Sequence, residues 1–377
     1  MFSAVDKTTL LALPGFLIAG NLMDEGGLAK KLVNICELAV AKIPGGLPIV
    51  TSISSAVFGA ISGSGVATTA IVGGIMQPEM EARGYKGEYV GALITSGGVL
   101  DAVIPPSIIL VVYGAATNTS IGDLFKTGFA AGALMLISVC VLCIIQATRQ
   151  KGLKLEKKTY SKDQVVAILK ESIPALLAPI LIIVGIFGGF VTPTECSCIL
   201  IAYVILICTL LYKKLTLKSI WESFKKGAMQ SAAILMIMAA AGIFGWIIAY
   251  TKLPNQLMGS IIGITDSKVL IMLAVLVCVF IAGMFMSGTA IVVILAPILS
   301  VICATLGING VHFGTVILMC LALGCMTPPF GTCLYAASMV TKKPVEKIAY
   351  QVLPFIVTYF IDIVLVVLIP QVVMWIV

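Results

Sequence analysis

The chain has 377 residues, of which 60% are hydrophobic and 11% are charged, whereas soluble domains carry about 25% charged and about 45–50% apolar side chains. Water is therefore not the solvent for most of its surface. The net charge of +7 comes from lysines in short loops beside apolar runs, which reports membrane topology and argues against a nucleic-acid surface. Nearly all of the 11 cysteines fall inside apolar runs, where thiols behave as small hydrophobes; neither a disulfide framework nor a zinc site is indicated, and Cys140-x-x-Cys143 is read the same way. His312 is the single histidine, so histidine catalysis and transition-metal ligation have almost no material.

A bilayer core needs roughly 20 apolar residues per crossing, and roughly eight to ten segments are long enough to cross or enter one. No alternating strand pattern points to a barrel, so an all-α bundle is expected. In chain order, the pattern predicts a helix over 8–23, an amphipathic helix over 28–43 and a hydrophobic hairpin over 45–80. The middle of that hairpin, Gly59-Ala-Ile-Ser-Gly-Ser-Gly65, marks a segment that enters the membrane and turns back. An interrupted span over 89–116, broken at Ile104-Pro-Pro-Ser107, and a helix over 123–148 complete the first half.

The polar stretch 149–162 divides the chain. Spans over 173–190 and 196–212, a basic stretch over 213–226 and a helix over 228–250 open the second half. A second hairpin over 268–306 is centred on Gly283-Met-Phe-Met-Ser-Gly-Thr289. A second interrupted span follows over 311–338, broken at Met326-Thr-Pro-Pro-Phe-Gly331, and a last helix over 353–375. No cleavable leader is visible at residues 1–7.

Two spans separate the basic stretches 149–162 and 213–226, so both lie on one side, the cytoplasm. Counting outward puts Lys342, Lys343 and Lys347 there too, with Arg83, Lys86, Lys30, Lys31 and Lys42. The first hairpin then enters from the cytoplasm and the second from the opposite face, as inverted repeats require.

The halves also match each other. Ser62-Gly63 precedes Pro105-Pro106 by 43 residues, and Ser287-Gly288 precedes Pro328-Pro329 by 41, each with a tyrosine soon after, Tyr113 and Tyr335. Single glycines are common packing devices in membrane helices, but paired tips and paired Pro-Pro breaks at matched spacing are not. Each proline removes a backbone donor and crowds the preceding turn, which unwinds the helix and frees carbonyls that lipid cannot satisfy. Ions, substrate and water at a protected site can. The hydroxyls of Ser62, Ser64, Thr68, Ser107, Ser287, Thr289, Thr327 and Thr332 suit a hard monovalent cation, with sodium the natural candidate.

Asp101 is a carboxylate within the interrupted span, available as an ion ligand, a proton carrier or a selector of substrate charge. Glu195 is read as a helix-N-terminal acid, and Asp362 as a carboxylate with no assignable partner. The only arginines are Arg83 and Arg149, both at loops. An anion would be held by helix N-termini, backbone amides and hydroxyls.

Together these stretches resemble the large membrane subunit, of the DctM type, of tripartite ATP-independent periplasmic (TRAP) transporters. The matching residues are Phe58-Gly-Ala-Ile-Ser-Gly-Ser-Gly-Val-Ala-Thr68, Ile104-Pro-Pro-Ser107 through Tyr113-Gly114, Thr192-Pro-Thr-Glu195, Leu295-Ala-Pro-Ile-Leu299, Leu306-Gly-Ile308, Val311-His-Phe-Gly314 and Thr327-Pro-Pro329. The resemblance runs over essentially the whole chain. It implies an all-α polytopic membrane protein with two re-entrant hairpins and two broken helices, working as a sodium-coupled elevator in the bacterial inner membrane. Residues 44–121 and 268–340 would form the mobile unit, and 1–43, 122–267 and 341–377 the scaffold and connectors.

The resemblance further implies a small four-helix membrane subunit, a periplasmic substrate-binding protein, and an organic acid as substrate: a C4-dicarboxylate, a sialic acid or another sugar acid. No cofactor is expected beyond the coupling ion. By the family pattern one sodium site involves Gly59, Ser62, Asp101, Ile104 and Pro106, and the other Gly324, Thr327 and Phe330, closed by Gly288. Substrate would meet Ser64, Gly65, Ser107, Ser287, Thr289 and Thr332. There are departures: Asp101 stands where a small residue is usual, and Ser287-Gly288 where an acid is common. Family chains also begin one helix earlier, so a misplaced start codon or truncated gene is expected. A stand-alone sodium- or proton-coupled anion carrier is the alternative. An intramembrane enzyme has little beyond Asp101 to work with, and an ATP-driven pump is disfavoured because no phosphate-binding G-x-x-x-x-G-K-[ST] loop is present.

Overall fold

The structure is a computed structural model and describes residues 5–40, 46–149, 161–251, 267–305 and 307–377. Lys42 and most of the basic connection 149–162 lie outside the described residues, as does Leu306. All regular elements among the described residues are helical. A 3₁₀ turn, Thr8–Leu11, leads into α1 (Ala12–Glu25), followed by α2 (Leu28–Val40). The first hairpin is α3 (Gly46–Ser62) with α4 (Gly65–Ala82), and the first broken helix is α5 (Gly87–Gly98) with α6 (Ile108–Thr117). Then come α7 (Ile121–Arg149), α8 (Lys162–Phe187), α9 (Pro193–Leu206) and α10 (Leu217–Tyr250). The second hairpin is α11 (Lys268–Phe285) with α12 (Gly288–Thr305), the second broken helix α13 (Gly310–Cys325) with α14 (Thr332–Thr341), and α15 (Val345–Leu368) and α16 (Gln371–Met374) close the chain.

Among the described residues six helices are long and apolar enough to cross a bilayer, within α7, α8, the α9 segment, α10, α11 and α15. At a rise of about 1.5 Å per residue, α6 and α14 with 10 residues each reach only about half of a bilayer core. These are the halves of broken spans. Three helices start earlier than hydropathy predicts, because their first turns are polar and lie outside the apolar run. In α8 a capping box secures the start: Gln164 N donates to Ser161 Oγ (3.2 Å) and Ser161 N to Gln164 Oε1 (3.0 Å). In α10, Ser219 N donates to Thr216 Oγ1 at 3.2 Å, and α15 likewise begins at Val345.

The inversion is visible in who meets whom. At one face the end of the first broken helix meets the start of the second: Tyr113 Oη donates to Gly310 O at 3.2 Å. At the other face the start of the first meets the end of the second, since a Cβ on Gly87 would lie 2.6 Å from Lys343 Cε. Each hairpin accordingly packs against both repeats, α4 on α5 and α14, and α12 on α13 and α6. At the face that the lysine placement assigns to the cytoplasm, Lys31 pairs with Glu171, and its Nζ lies 5.8 Å from the Tyr212 ring centroid. On the other side Lys7 donates to Ala115 O and Asn118 Oδ1, and partial burial lowers its ammonium pKa.

The second hairpin meets its broken helix through glycine. A Cβ on Gly324 would come within 2.7 Å of Gly283 Cα, whereas one on Gly74 would meet nothing within 4 Å. Gly324→Val is therefore expected to destabilise the protein by about 1–3 kcal/mol through overpacking, read as a lower thermal unfolding midpoint in detergent, while Gly74→Ala leaves it unchanged or slightly raised. Equal midpoints for Gly324→Val and the parent would show that these backbones do not touch.

Candidate functional site

Both hairpin tips and both breaks converge near the middle of the bundle. In the first half, α3 ends at Ser62, Gly63 turns the chain at φ +60, and Ser64 caps α4 by accepting from Ala67 N at 3.3 Å. A side chain at Gly63 would strain this left-handed turn. Ser62 Oγ lies 3.0 Å from Thr68 Oγ1 and accepts from Ser64 N at 3.3 Å, so the tip holds itself together.

Asp101 sits in the 3₁₀ turn Val99–Ala102 that follows α5, and it is 7% exposed. Both arms of the first hairpin approach it. A Cβ on Gly59 would be 3.3 Å from Asp101 Cβ, and a Cβ on Gly65 would be 2.7 Å from Asp101 Oδ1. The backbone N–H groups of Gly65 and Ala102 point at the carboxylate. A buried carboxyl group beside these amides, in a cavity lining without lysine, arginine or histidine, is a natural position for a cation.

The breaks are alike in backbone and unlike in dress. Pro105-Pro106 and Pro328-Pro329 are both joined by cis bonds. Across the first break Ser107 Oγ donates to Ala102 O at 2.9 Å. At the second, Thr327 Oγ1 donates to Leu323 O at 2.7 Å, and Phe330 N donates to Met284 O of the hairpin arm at 3.0 Å. The Thr327 oxygen keeps its lone pairs for another partner.

A cavity of about 370 Å³ opens between the tips, within the roughly 300–1,000 Å³ of small-molecule sites. The first half contributes Ser64, Gly65 and Asp101, and the second Ser287, Gly288, Thr289 and Thr332. Gly59, Ser62, Ser107, Pro106, Gly324, Thr327 and Phe330 lie outside this lining. Ile104 lines a separate apolar cavity with Pro105 and Phe129. Three polar lining residues were not singled out as site residues from sequence: Cys325 and Cys333, which flank the second break, and Gln230 on α10. Gln230 carried a signal, being an amide inside an apolar run; the thiols did not.

Two acids find partners elsewhere. Glu195 closes a capping box at α9, accepting from Thr192 N at 2.8 Å, as its position in the sequence predicts. Asp362, 4% exposed, accepts from Ser138 Oγ at 2.8 Å.

Inverted hairpin repeats around a central cavity with a few converging polar groups define a polytopic membrane transport protein. The family model described as "Tripartite ATP-independent periplasmic transporter, DctM component" matches residues 1–372. The sialic acid TRAP transporter large permease protein SiaM of Vibrio cholerae is 32% identical over 371 residues, covering 98% of this chain and 86% of that protein. The isethionate TRAP transporter permease protein DctMQ of Oleidesulfovibrio alaskensis is 34% identical over 355 residues; the chain spans only 56% of its length. The C4-dicarboxylate TRAP transporter large permease protein DctM of Rhodobacter capsulatus is 31% identical over 386 residues, covering 99% of this chain and 87% of that protein. Among solved structures, the YdaH transporter of Alcanivorax borkumensis superposes with a TM-score of 0.67 at 13% identity, over 97% of this chain and 84% of that one, a likeness of fold. The chain belongs to the DctM family of TRAP transporter large permeases and is a multi-pass protein of the bacterial inner membrane.

The contact between Gly65 and Asp101 gives a direct test. Gly65→Val should push the Asp101 turn off the first tip and reduce solute uptake at least tenfold, at unchanged expression, while Gly74→Ala retains it. Full uptake by Gly65→Val would show that this contact is not part of the site.

Proposed function

We propose that this chain is the membrane-translocating subunit of a sodium-coupled importer of an organic acid, moving its hairpins and broken helices as one body against the remaining helices. The observation that carries this reading is the charge balance of the central cavity. Its lining includes one carboxylate, Asp101, and no lysine, arginine or histidine. An organic anion entering such a space would face an uncompensated buried charge. Cations bound first beside the two breaks would supply the countercharge, so that anion and cation bind only together. That interdependence is what makes a symporter.

Candidate cation ligands in the first half are the Asp101 carboxylate, the Ser62 hydroxyl and backbone carbonyls around Gly59, Ile104 and Pro106. In the second half they are Thr327 and carbonyls around Gly324 and Phe330, with Gly288 closing over them. Ser64, Gly65, Ser107, Ser287, Thr289 and Thr332 would face or support the substrate. Elevator motion is supported by how the cavity is walled. One side is built by the hairpins and breaks, and the other by Leu17 of α1 and Gln230, Ala233 and Ile234 of α10. On this reading residues 44–121 and 268–340 form the mobile unit, and 1–43, 122–267 and 341–377 the frame.

The tripartite family description supports two further partners, a small four-helix membrane subunit and a periplasmic substrate-binding protein. The relatives are named for sialic acid, isethionate, C4-dicarboxylate and ectoine; all are solutes with an acid group, and the acid carried here would be chosen largely by the binding protein.

In proteoliposomes with both partners, uptake is expected only with an inward sodium gradient; equal uptake with choline at fixed pH would contradict sodium coupling and turn attention to protons at Asp101. Thr327→Ala, which removes the hydroxyl at the second break, should raise the sodium concentration for half-maximal uptake several-fold. Unchanged sodium activation would remove Thr327 from the ligand set.

A further inference from the structure

A second cavity, of about 520 Å³, lies nearer the ends of α1 and α10 that the basic stretch 213–226 assigns to the cytoplasm. It is lined by charges of both signs, Glu25, Glu222, Lys225 and Lys226, and is therefore a hydrated vestibule rather than an anion trap. Gln230 is the one residue common to this lining and to that of the hairpin cavity. Its Oε1 accepts from Asn21 Nδ2 at 2.9 Å, and the same amide donates to Leu17 O at 2.8 Å, itself on the hairpin-cavity wall. Asn21 is buried while Gln230 is exposed. Gln230 stands near the start of the apolar run 228–250 and is exposed toward the two cavities that it lines.

The backbones beside this pair already lie in close contact. A Cβ on Gly227, one turn before Gln230, would lie 2.6 Å from Ile18 Cγ1 and 3.0 Å from Ile18 Cα, so α1 and α10 already touch. With the helix backbones this close, the side chains of Asn21 and Gln230 occupy the space between the two cavities.

We propose that Asn21 and Gln230 form the hydrophilic neck through which a solute passes from the hairpin cavity to the cytoplasm, Gln230 setting its width. The carboxamide offers a passing polar solute one donor and one acceptor, and the bond to Asn21 holds it at the wall. This rests on the reading of the hairpin cavity as the solute's compartment, but its test needs neither sodium nor substrate, so the two can fail separately.

Cys325 lines the hairpin cavity and reports access to it. Inside-out vesicles holding the full chain are treated with a membrane-impermeant cationic methanethiosulfonate, and modification of Cys325 is followed by peptide mass spectrometry. The neck predicts labelling from the cytoplasmic face that Gln230→Trp slows at least fivefold and Gln230→Ala speeds. Should Gln230→Trp fail to fold, judged by size-exclusion profile, Gln230→Ala decides alone. Labelling of Cys325 only from the opposite face, or rates unmoved by either substitution, would overturn the proposal.

Discussion

Backbone polar groups left unpaired inside a bilayer each cost several kcal/mol, and this chain unwinds two of its spans there. Everything at the centre of the molecule follows from covering those two interruptions. Each is roofed by a hairpin tip that enters from the opposite face to its counterpart, and each roof fits only because glycine lets backbone approach backbone. Gly65 allows the first tip to reach the Asp101 turn, and Gly283 with Gly324 brings the second arm onto its broken helix. The Phe330 N–H, freed by the break, is given to Met284 O. What covers the breaks also creates the cavity between the tips.

The two halves solve one problem with different chemistry. The first places a carboxylate at its break, with amides of Gly65 and Ala102 aimed at it. The second offers hydroxyls and carbonyls, with Thr327 already donating within its own helix. A cation at the first position would meet a carboxyl group, and one at the second only dipoles. Cation sites of the kind proposed would therefore differ, the first being the more sensitive to protonation.

Much of this was legible because glycine, proline and charge act locally. The tips at Ser62-Gly63 and Ser287-Gly288, the breaks at Pro105-Pro106 and Pro328-Pro329, and the inverted entry of the hairpins all follow from composition, spacing and lysine placement. The starts of α8, α10 and α15 were not, because polar first turns that leave the membrane carry no hydropathy signal. Nor was the far wall of the cavity: Gln230 comes to face Ser64 and Ser287 by tertiary packing of α10, which no spacing encodes. Thr327 and Ser107 read as free hydroxyls in sequence, while in the fold both donate to nearby carbonyls. Asp362 had no partner until α7 brought Ser138 beside it.

The central claim is that the covered breaks bind sodium. A ligand that binds only the folded state raises stability by RT ln(1 + [L]/Kd), which is about 2.7 kcal/mol at a hundredfold excess over Kd. The purified chain should show a thermal midpoint that climbs with sodium chloride concentration, while potassium and choline chloride at matched ionic strength leave it unmoved, and the climb should shrink in Asp101→Asn. Identical midpoints in the three salts would contradict the account at its centre.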